Sequence, residues 1–286
     1  MSASPQWQRW KNIMKCYPFE EKRLAKWSPP YIVQPKLDGD RCKNAPSEQS
    51  PLLLSSEENV FFSVPHINQQ IVDNKLSSIP LDGELYNHKI FLEGGHELIH
   101  SICSRTVNLH PRYKEMELWV FDLQYFDKIQ AERTVLLSTM PTSNNIRVIP
   151  YYICENLDEV KKVYNKLVNE GFEGIVVKNL NAFYEFKRSI YQMKFKPKKK
   201  DTYKIVGYNE EISKDGIPKG RLGSLVMSSK EGERFSVSAG LNDEEKERYW
   251  DIKELLIGLD ATVHYQHLTE RKVPKGSFDI EIHFKL

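Results

Sequence analysis

Apolar and polar positions along the chain alternate in short runs and then switch period, which predicts strands interrupted by a few helices. Tyr31-Ile32-Val33 is a β-prone run leading into Gln34-Pro35-Lys36-Leu37-Asp38-Gly39, where Pro and Asp-Gly announce a turn, so Lys36 falls at a strand end. The run Leu118-Trp119-Val120-Phe121-Asp122-Leu123 predicts a buried strand. From Asp158 to Asn169 the spacing becomes helical, with Val160, Val163, Tyr164, Leu167 and Val168 on one face and Gly171 placed to end the helix. Glu173-Gly174-Ile175-Val176-Val177-Lys178 follows as a strand with a carboxylate at one end and an ammonium at the other. Strands interleaved with helices over the first two hundred residues predict a mixed α and β domain.

The pattern changes at Lys196-Pro197-Lys198-Lys199-Lys200-Asp201, a charged stretch that marks a boundary and a hinge near residues 198–201. Beyond it, strands are predicted at residues 203–208, 224–228, 234–238, 262–267 and 280–284, with one helix near 243–257. Asn242 with Glu245 forms a capping-box signature for that helix, and Gly258 follows it. Five short strands and one helix suit a small Greek-key barrel of the OB type. The expected fold class is therefore α+β in two domains, residues 1–197 and 198–286.

At 286 residues, 40% hydrophobic and 28% charged, the chain has the composition of an ordinary globular protein and room for two cores. No run approaches the ~18 apolar residues of a membrane span, and the amino terminus lacks an apolar signal core. The four cysteines, Cys16, Cys42, Cys103 and Cys154, are scattered, which argues against a disulfide framework and for a reducing, cytoplasmic setting. Net charge is only +2, but residues 187–221 hold eleven Lys or Arg against four Asp or Glu, an excess of 11 − 4 = +7. That stripe suits a polyphosphate backbone, and a solvated lysine-rich linker is the equally weighted alternative.

The densest candidate chemistry is Lys36-x-Asp38-Gly39-x-Arg41, followed in order by Asp82-Gly83-Glu84, the strand ending Phe121-Asp122, Glu173-Gly174 with Lys178, and Lys194-x-Lys196. Read singly, each has an ordinary meaning. The Asp-Gly pairs are turns, Phe121 is core, and the two late lysines are a solvated strand face. Together, in this order, they resemble the covalent nucleotidyltransferase superfamily of polynucleotide ligases and capping enzymes, and within it a small ATP-dependent DNA ligase of phage or viral type. The resemblance runs from about Ile32 to Phe278 and includes Gly223-Ser224-Leu225 and Ser238-Ala239-Gly240-Leu241 in the second domain.

The resemblance implies an adenylation domain of ATP-grasp-like character with antiparallel sheets, then an OB domain, acting on nicked duplex DNA as a monomer in a bacterial or phage-infected cell. Lys36 is implied as the nucleophile that takes AMP from ATP, passes it to a 5′-phosphate and lets a 3′-hydroxyl seal the nick. Cations such as Arg41, Lys178, Lys194 and Lys196 are expected to lower the Lys36 pKa by like-charge repulsion and to grip phosphates. Arg41 and Glu84 are implied to hold the ribose, Phe121 to stack on adenine, and Gln34 or nearby backbone to read the adenine edge. Glu173, with Asp38 through water, is implied to place Mg²⁺, or Mn²⁺ in its stead. DNA contacts are expected from Arg105, Lys198, Lys199, Lys200, Lys219 and Arg221.

The match departs from the family pattern in several places. Ser55-Ser56 stands where a Ser-Arg pair is usual, with Arg105 in Ser104-Arg105-Thr106 as the substitute for a phosphate contact. Tyr191-Gln192 replaces a tryptophan, the last motif is reduced to Ile282-His283-Phe284-Lys285-Leu286, and the segment before Tyr31 is too short for a separate DNA-binding domain. That short segment and the absence of clustered cysteines also disfavour NAD as cofactor. Within the superfamily an RNA ligase or guanylyltransferase is the rival reading; outside it, a catalytically dead nucleic-acid-binding protein. His96-Glu97-Leu98-Ile99-His100 also matches HExxH, the zinc-protease signature, though Gly94-Gly95 precedes it and spacing shows no third ligand. His264 and His267 read as strand residues rather than ligands.

Overall fold

A computed structural model describes residues 13–46 and 51–284, apart from Lys198, Ala239, Gln266, Glu270, Gly276 and Phe278. Lys198, Ala239, Phe278, Lys285 and Leu286, which figure in the expectations above, thus lie outside the described residues. The chain divides into two compact units, Met1–Phe195 and Lys196–Leu286.

The first unit holds two five-stranded sheets. One has the strand order Lys15–Pro18, Arg188–Phe195, Gly174–Asn179, Tyr31–Lys36, Tyr152–Cys154; the other runs Leu52–Leu54, Asp40–Ala45, Leu81–Tyr86, Glu117–Leu123, Ile146–Val148. Pairing is antiparallel except at one edge of each sheet, where Lys15–Pro18 runs parallel to Arg188–Phe195 and Ile146–Val148 to Glu117–Leu123. The first sheet packs Val33, Ile175, Val177 and Met193 against Val160 and Leu167 of helix Leu157–Asn169. Asn156 caps that helix by accepting from the Glu159 amide, and Gly171 leaves it at a φ of 91°. The second sheet packs against Ile67 and Ile71 of helix Pro65–Asp73 and Ile90, Ile99 and Ile102 of helix His88–Cys103.

Strand Tyr31–Lys36 is buried along nearly its whole length because it is central, but its last three residues have one strand neighbour only. Tyr152–Cys154 pairs no further than Val33, whereas Gly174–Asn179 continues to Lys36. Pro35, which has no amide hydrogen to donate, falls in that one-sided stretch. The residues after it, Leu37 to Gly39, cross to the other sheet, where Asp40 begins the next strand. A Cβ on Gly39 would sit 2.3 Å from the Leu85 carbonyl oxygen, so no side chain fits at this crossing. Asp82-Gly83, one of the Asp-Gly pairs readable as a turn, is instead inside strand Leu81–Tyr86. There the missing side chain of Gly83 admits the Trp119 carbonyl, 2.6 Å from where a Cβ would lie.

The second unit is an OB-like domain. It is one five-stranded sheet in the order Arg234–Val237, Pro218–Ser228, Lys199–Ile212, Asp260–Tyr265, Asp279–His283, beside a two-stranded ribbon of His267–Leu268 and Pro274–Lys275. Among the described residues the two edge strands are not paired with each other, so the sheet is not closed into a full barrel. The expected helix is present but broken at Ile252 into Asp243–Asp251 and Lys253–Leu256, with the Asn242–Glu245 capping box in place. Lys199 to Asp201, expected in the hinge, are instead the first rungs of a strand paired with Tyr265, His264 and Val263.

Candidate active site

A cavity opens between the two sheets of the first unit, lined by Gln34, Lys36, Arg41, Glu84, Phe121 and Lys178 among others. The first sheet supplies Gln34, Lys36 and Lys178, and the second supplies Arg41, Glu84 and Phe121. One acceptor holds the sheets in register here: the Phe121 carbonyl accepts from Gln34 Nε2 at 3.2 Å and from Lys178 Nζ at 2.9 Å. Six of the residues singled out in the sequence therefore meet in one place. Asp38, Glu173, Lys194 and Lys196 do not line the cavity. Glu173 nevertheless pairs with Lys36, and Lys194 lies opposite Val176 in the first sheet. Lys196 begins the second unit.

Lys36 donates to the Glu173 carboxylate and to the Leu37 carbonyl, the latter at 3.2 Å. Burial pulls its pKa down, but the charges of Glu173, Glu84 and Asp38 outweigh burial and hold it above the ordinary lysine value. This corrects the expectation that neighbouring cations depress it. The charges that act most strongly on the ammonium are carboxylates, and Lys178 is turned to one of its own.

Lys178, only 2% exposed, reaches Asp122 at 3.2 Å, and Asp122 is gripped by the fully buried Arg133 at 2.7 and 3.3 Å. Burial and then the Arg133 charge lower the Lys178 pKa against the pull of Asp122. Arg41 forms a two-pronged pair with Asp82, at 2.7 and 2.6 Å, and its guanidinium lies 4.5 Å over the Phe121 ring. Tyr184 donates its hydroxyl to the same Asp82 carboxylate at 2.5 Å. Phe121 is half-buried against the core and also lines the cavity. Burial pushes the Glu84 carboxyl up to about 7, against the pull of Lys36 and Arg41.

Sequence reasoning gave no role to Asp82 itself, Tyr184, Asp122, Arg133 or Cys16, which also lines the cavity. Asp82 and Asp122 sat inside motifs already singled out; for Tyr184, Arg133 and Cys16 no pattern in the sequence sets them apart. Glu173, Glu84 and Asp38 all act on the Lys36 ammonium and offer the oxygen chemistry a hard divalent cation such as Mg²⁺ prefers, although their three carboxylates do not gather within 4.8 Å of one another.

The residues given DNA contacts fall in two surroundings. A groove in the first unit brings Arg105 together with Ser55 and Ser56, about fifty positions upstream of it. In the second unit Lys199 and Lys200 are exposed. Lys219 and Arg221 are tied instead to Glu211, at 2.7 Å and at 3.0 and 2.9 Å, and Arg221 also to Asp243 at 3.0 Å. Lys246 joins the same carboxylate at 3.0 Å. The basic stripe is thus partly neutralised within its own sheet.

The HExxH segment lies in helix His88–Cys103, directly after a break at Gly94 and Gly95. A third partner does exist: Asp40, from the second sheet, lies 3.4 Å from His96 Nε2 and 3.0 Å from His100 Nδ1. Chain spacing concealed it because Asp40 is far upstream. Glu97 is not part of this cluster. Among the described residues no helix is long and apolar enough to cross a membrane.

This architecture is found in proteins already known. The chain is similar to DNA ligase 1 of Methanosarcina mazei, 25% identical over 255 residues that cover 78% of this chain and 43% of that protein. It is also similar to the DNA ligase of African swine fever virus, 28% identical over 167 residues covering 54% of this chain and 38% of that one. The chain thus spans less than half the length of these relatives. In fold it resembles the structure described as "DNA binding with a minimal scaffold: Structure-function analysis of Lig E DNA ligases". The TM-score is 0.77 at 18% identity, covering 94% of this chain and 99% of that one. It also resembles the ATP-dependent DNA ligase of bacteriophage T7 in complex with ATP, with a TM-score of 0.54 at 15% identity, covering 96% and 99%. The family model of a DNA ligase OB-like domain matches residues 210–278. With the Lys36 cavity enclosed by residues 14–196, all matched by the family model of the ATP dependent DNA ligase domain, the chain belongs to that family.

Proposed function

We propose that the chain is an ATP-dependent DNA ligase that seals nicks in duplex DNA through a lysyl-AMP intermediate on Lys36. The observation that carries this reading is the seating of Lys36 at a one-sided strand end, in a cavity whose other walls are Phe121, Arg41, Glu84 and Lys178. In the first step Lys36 Nζ, after losing a proton, attacks the α-phosphorus of ATP. A P–N bond forms and the bond to the pyrophosphate oxygen breaks. The 5′-phosphate of the nick then takes the AMP, and the 3′-hydroxyl displaces it.

Phe121 would offer a ring face to adenine, and Arg41 and Glu84, on the same cavity wall, would hold the ribose hydroxyls. Gln34, whose amide nitrogen is already bound to the Phe121 carbonyl, offers its remaining polar groups to the base edge. Glu173 and Asp38 would hold Mg²⁺, which supplies charge neutralisation on the phosphates. Lys178, Lys194 and Lys196 supply further positive charge. The region to Pro197 then acts as the nucleotidyltransferase domain, and the OB-like domain, with Lys199 and Lys200, contributes to DNA binding as a monomer.

The test is the intact mass of the protein, first stripped of AMP with pyrophosphate, after incubation with Mg²⁺ and separately ATP, GTP or NAD, beside Lys36→Ala. An AMP-sized gain from ATP, absent in the variant, followed by sealing of a nicked duplex, is the expected result. A GMP gain would move the reading to capping, an adduct from NAD would change the cofactor, and no gain would leave a nucleic-acid-binding protein.

A further inference from the structure

We propose that Asp40, His96 and His100 form a binding site for a divalent transition-metal ion of the zinc class, separate from the Mg²⁺ of nucleotidyl transfer. Their ligand atoms all lie within 4.8 Å of one another. Asp40 Oδ1 is 3.4 Å from His96 Nε2, and Asp40 Oδ2 is 3.0 Å from His100 Nδ1. A tetrahedral ion with bonds of about 2.0–2.2 Å to nitrogen and oxygen separates its ligands by roughly 3.3–3.5 Å. The two Asp40–imidazole distances are thus within a few tenths of an ångström of that separation.

The local backbone explains the arrangement. His96 and His100 are one helical turn apart, with their rings nearly parallel, 5.7 Å between centroids and 12° between planes. Gly95, at a φ of 63° with nothing within 4 Å of a Cβ position, breaks the helix immediately before His96 and re-aims the turn that follows. Asp40 comes from the start of the neighbouring strand, next to Gly39 and Arg41. Two imidazoles and one carboxylate favour zinc, cobalt or nickel over magnesium or calcium, which prefer all-oxygen sets. His96 and His100 are 36% and 58% exposed and Asp40 15%, so an ion can enter and keep water in its open position. Because Glu97 is outside the cluster, the third ligand is a residue of the strand and not the glutamate of the HExxH signature. The bound ion would tie the crossing between Lys36 and Arg41 to the helix, acting as a staple.

The site is tested on the untagged full chain, freed of metal with a chelator and titrated with Co²⁺. One equivalent should bind with the intense visible bands of a four-coordinate ion, be displaced by Zn²⁺ and be left in place by excess Mg²⁺. Zn²⁺ should raise the unfolding temperature. Asp40→Asn and the double substitution His96→Ala/His100→Ala should each weaken Co²⁺ binding by at least about 100-fold, the upper end of what loss of an outer-shell partner costs. The metal-free double variant should unfold modestly below the wild-type temperature, since Asp40 loses both ring partners, and Zn²⁺ should no longer raise that temperature. Absence of Co²⁺ binding to the wild type, binding that survives the double substitution, or sulfur-to-cobalt charge-transfer absorption would overturn the proposal. Since the titration reads binding alone, its outcome is independent of whether the chain seals nicks.

Discussion

Lys36 and Glu173 form an ion pair across two adjacent strands, because Lys36 stands opposite Gly174 in the register and Glu173 immediately precedes it. The pair favours the protonated amine, and only the deprotonated amine is a nucleophile. Neutralising Glu173 should therefore lower the lysine pKa. In Glu173→Gln the acid limb of the pH profile of kcat/KM for adenylylation by ATP and Mg²⁺ is expected to move to lower pH even as the rate falls. An unmoved limb would show that another group sets the protonation of Lys36.

Glu84 carries a second pH signature. Burial raises its pKa from 4.5 to about 7, so the folded state favours the protonated form. Its contribution is fully present below about pH 4.5 and is lost as pH rises through 7. Glu84→Gln, which mimics the neutral acid, should therefore be more stable than wild type at pH 8 by about 2–3 kcal/mol, with the advantage vanishing near pH 4.5. Urea unfolding across that pH range measures it.

Asp82 accepts from both Arg41 and Tyr184 while almost wholly buried, so its loss strands a partly buried guanidinium. Asp82→Asn is expected to cost about 3–5 kcal/mol. Tyr184→Phe keeps the ion pair but removes the hydrogen bond donated to Asp82, about 1.5–3 kcal/mol, together with those the hydroxyl accepts from the Met14 amide and Gln124 Nε2. Chemical denaturation in which Asp82→Asn cost under about 1 kcal/mol would contradict the part given to the Arg41–Asp82 pair.

Salt dependence separates the exposed lysines from the paired ones. Replacing Lys199 and Lys200 with alanine should reduce the slope of log affinity for nicked DNA against log salt by about 1.8, from roughly 0.9 per phosphate contact. Arg221→Ala, whose guanidinium is shared between Glu211 and Asp243, should lower the unfolding midpoint and change the slope little.

What the sequence disclosed was whatever is written locally. The helix at Leu157–Asn169 shows through its apolar face and its cap, and Lys36 at a strand end shows through Pro35 and Asp38-Gly39. The motif residues could be named because each lies in a short pattern. Their partners could not. Arg133 is a lone arginine on a helix, and nothing nearby in the chain says that it is fully buried on Asp122. Tyr184 meets Asp82 from 102 positions away. The error about the Lys36 pKa has the same origin: cations were counted along the chain, whereas the charges that decide are the carboxylates brought near by strand register.

The crossing from Lys36 to Arg41 works as the spine of a book whose pages are the two sheets. Gly39 lets the spine lie flat on the Leu85 carbonyl, and the Phe121 carbonyl clasps both pages beside it. Lys36 and Arg41, bound into the spine only five positions apart, cannot be drawn far from each other. The three residues from Ile149 to Tyr151 make a second short crossing between the same pages, with Ile149 also on the cavity wall, so the binding runs along more than one side of the cavity and holds its walls together.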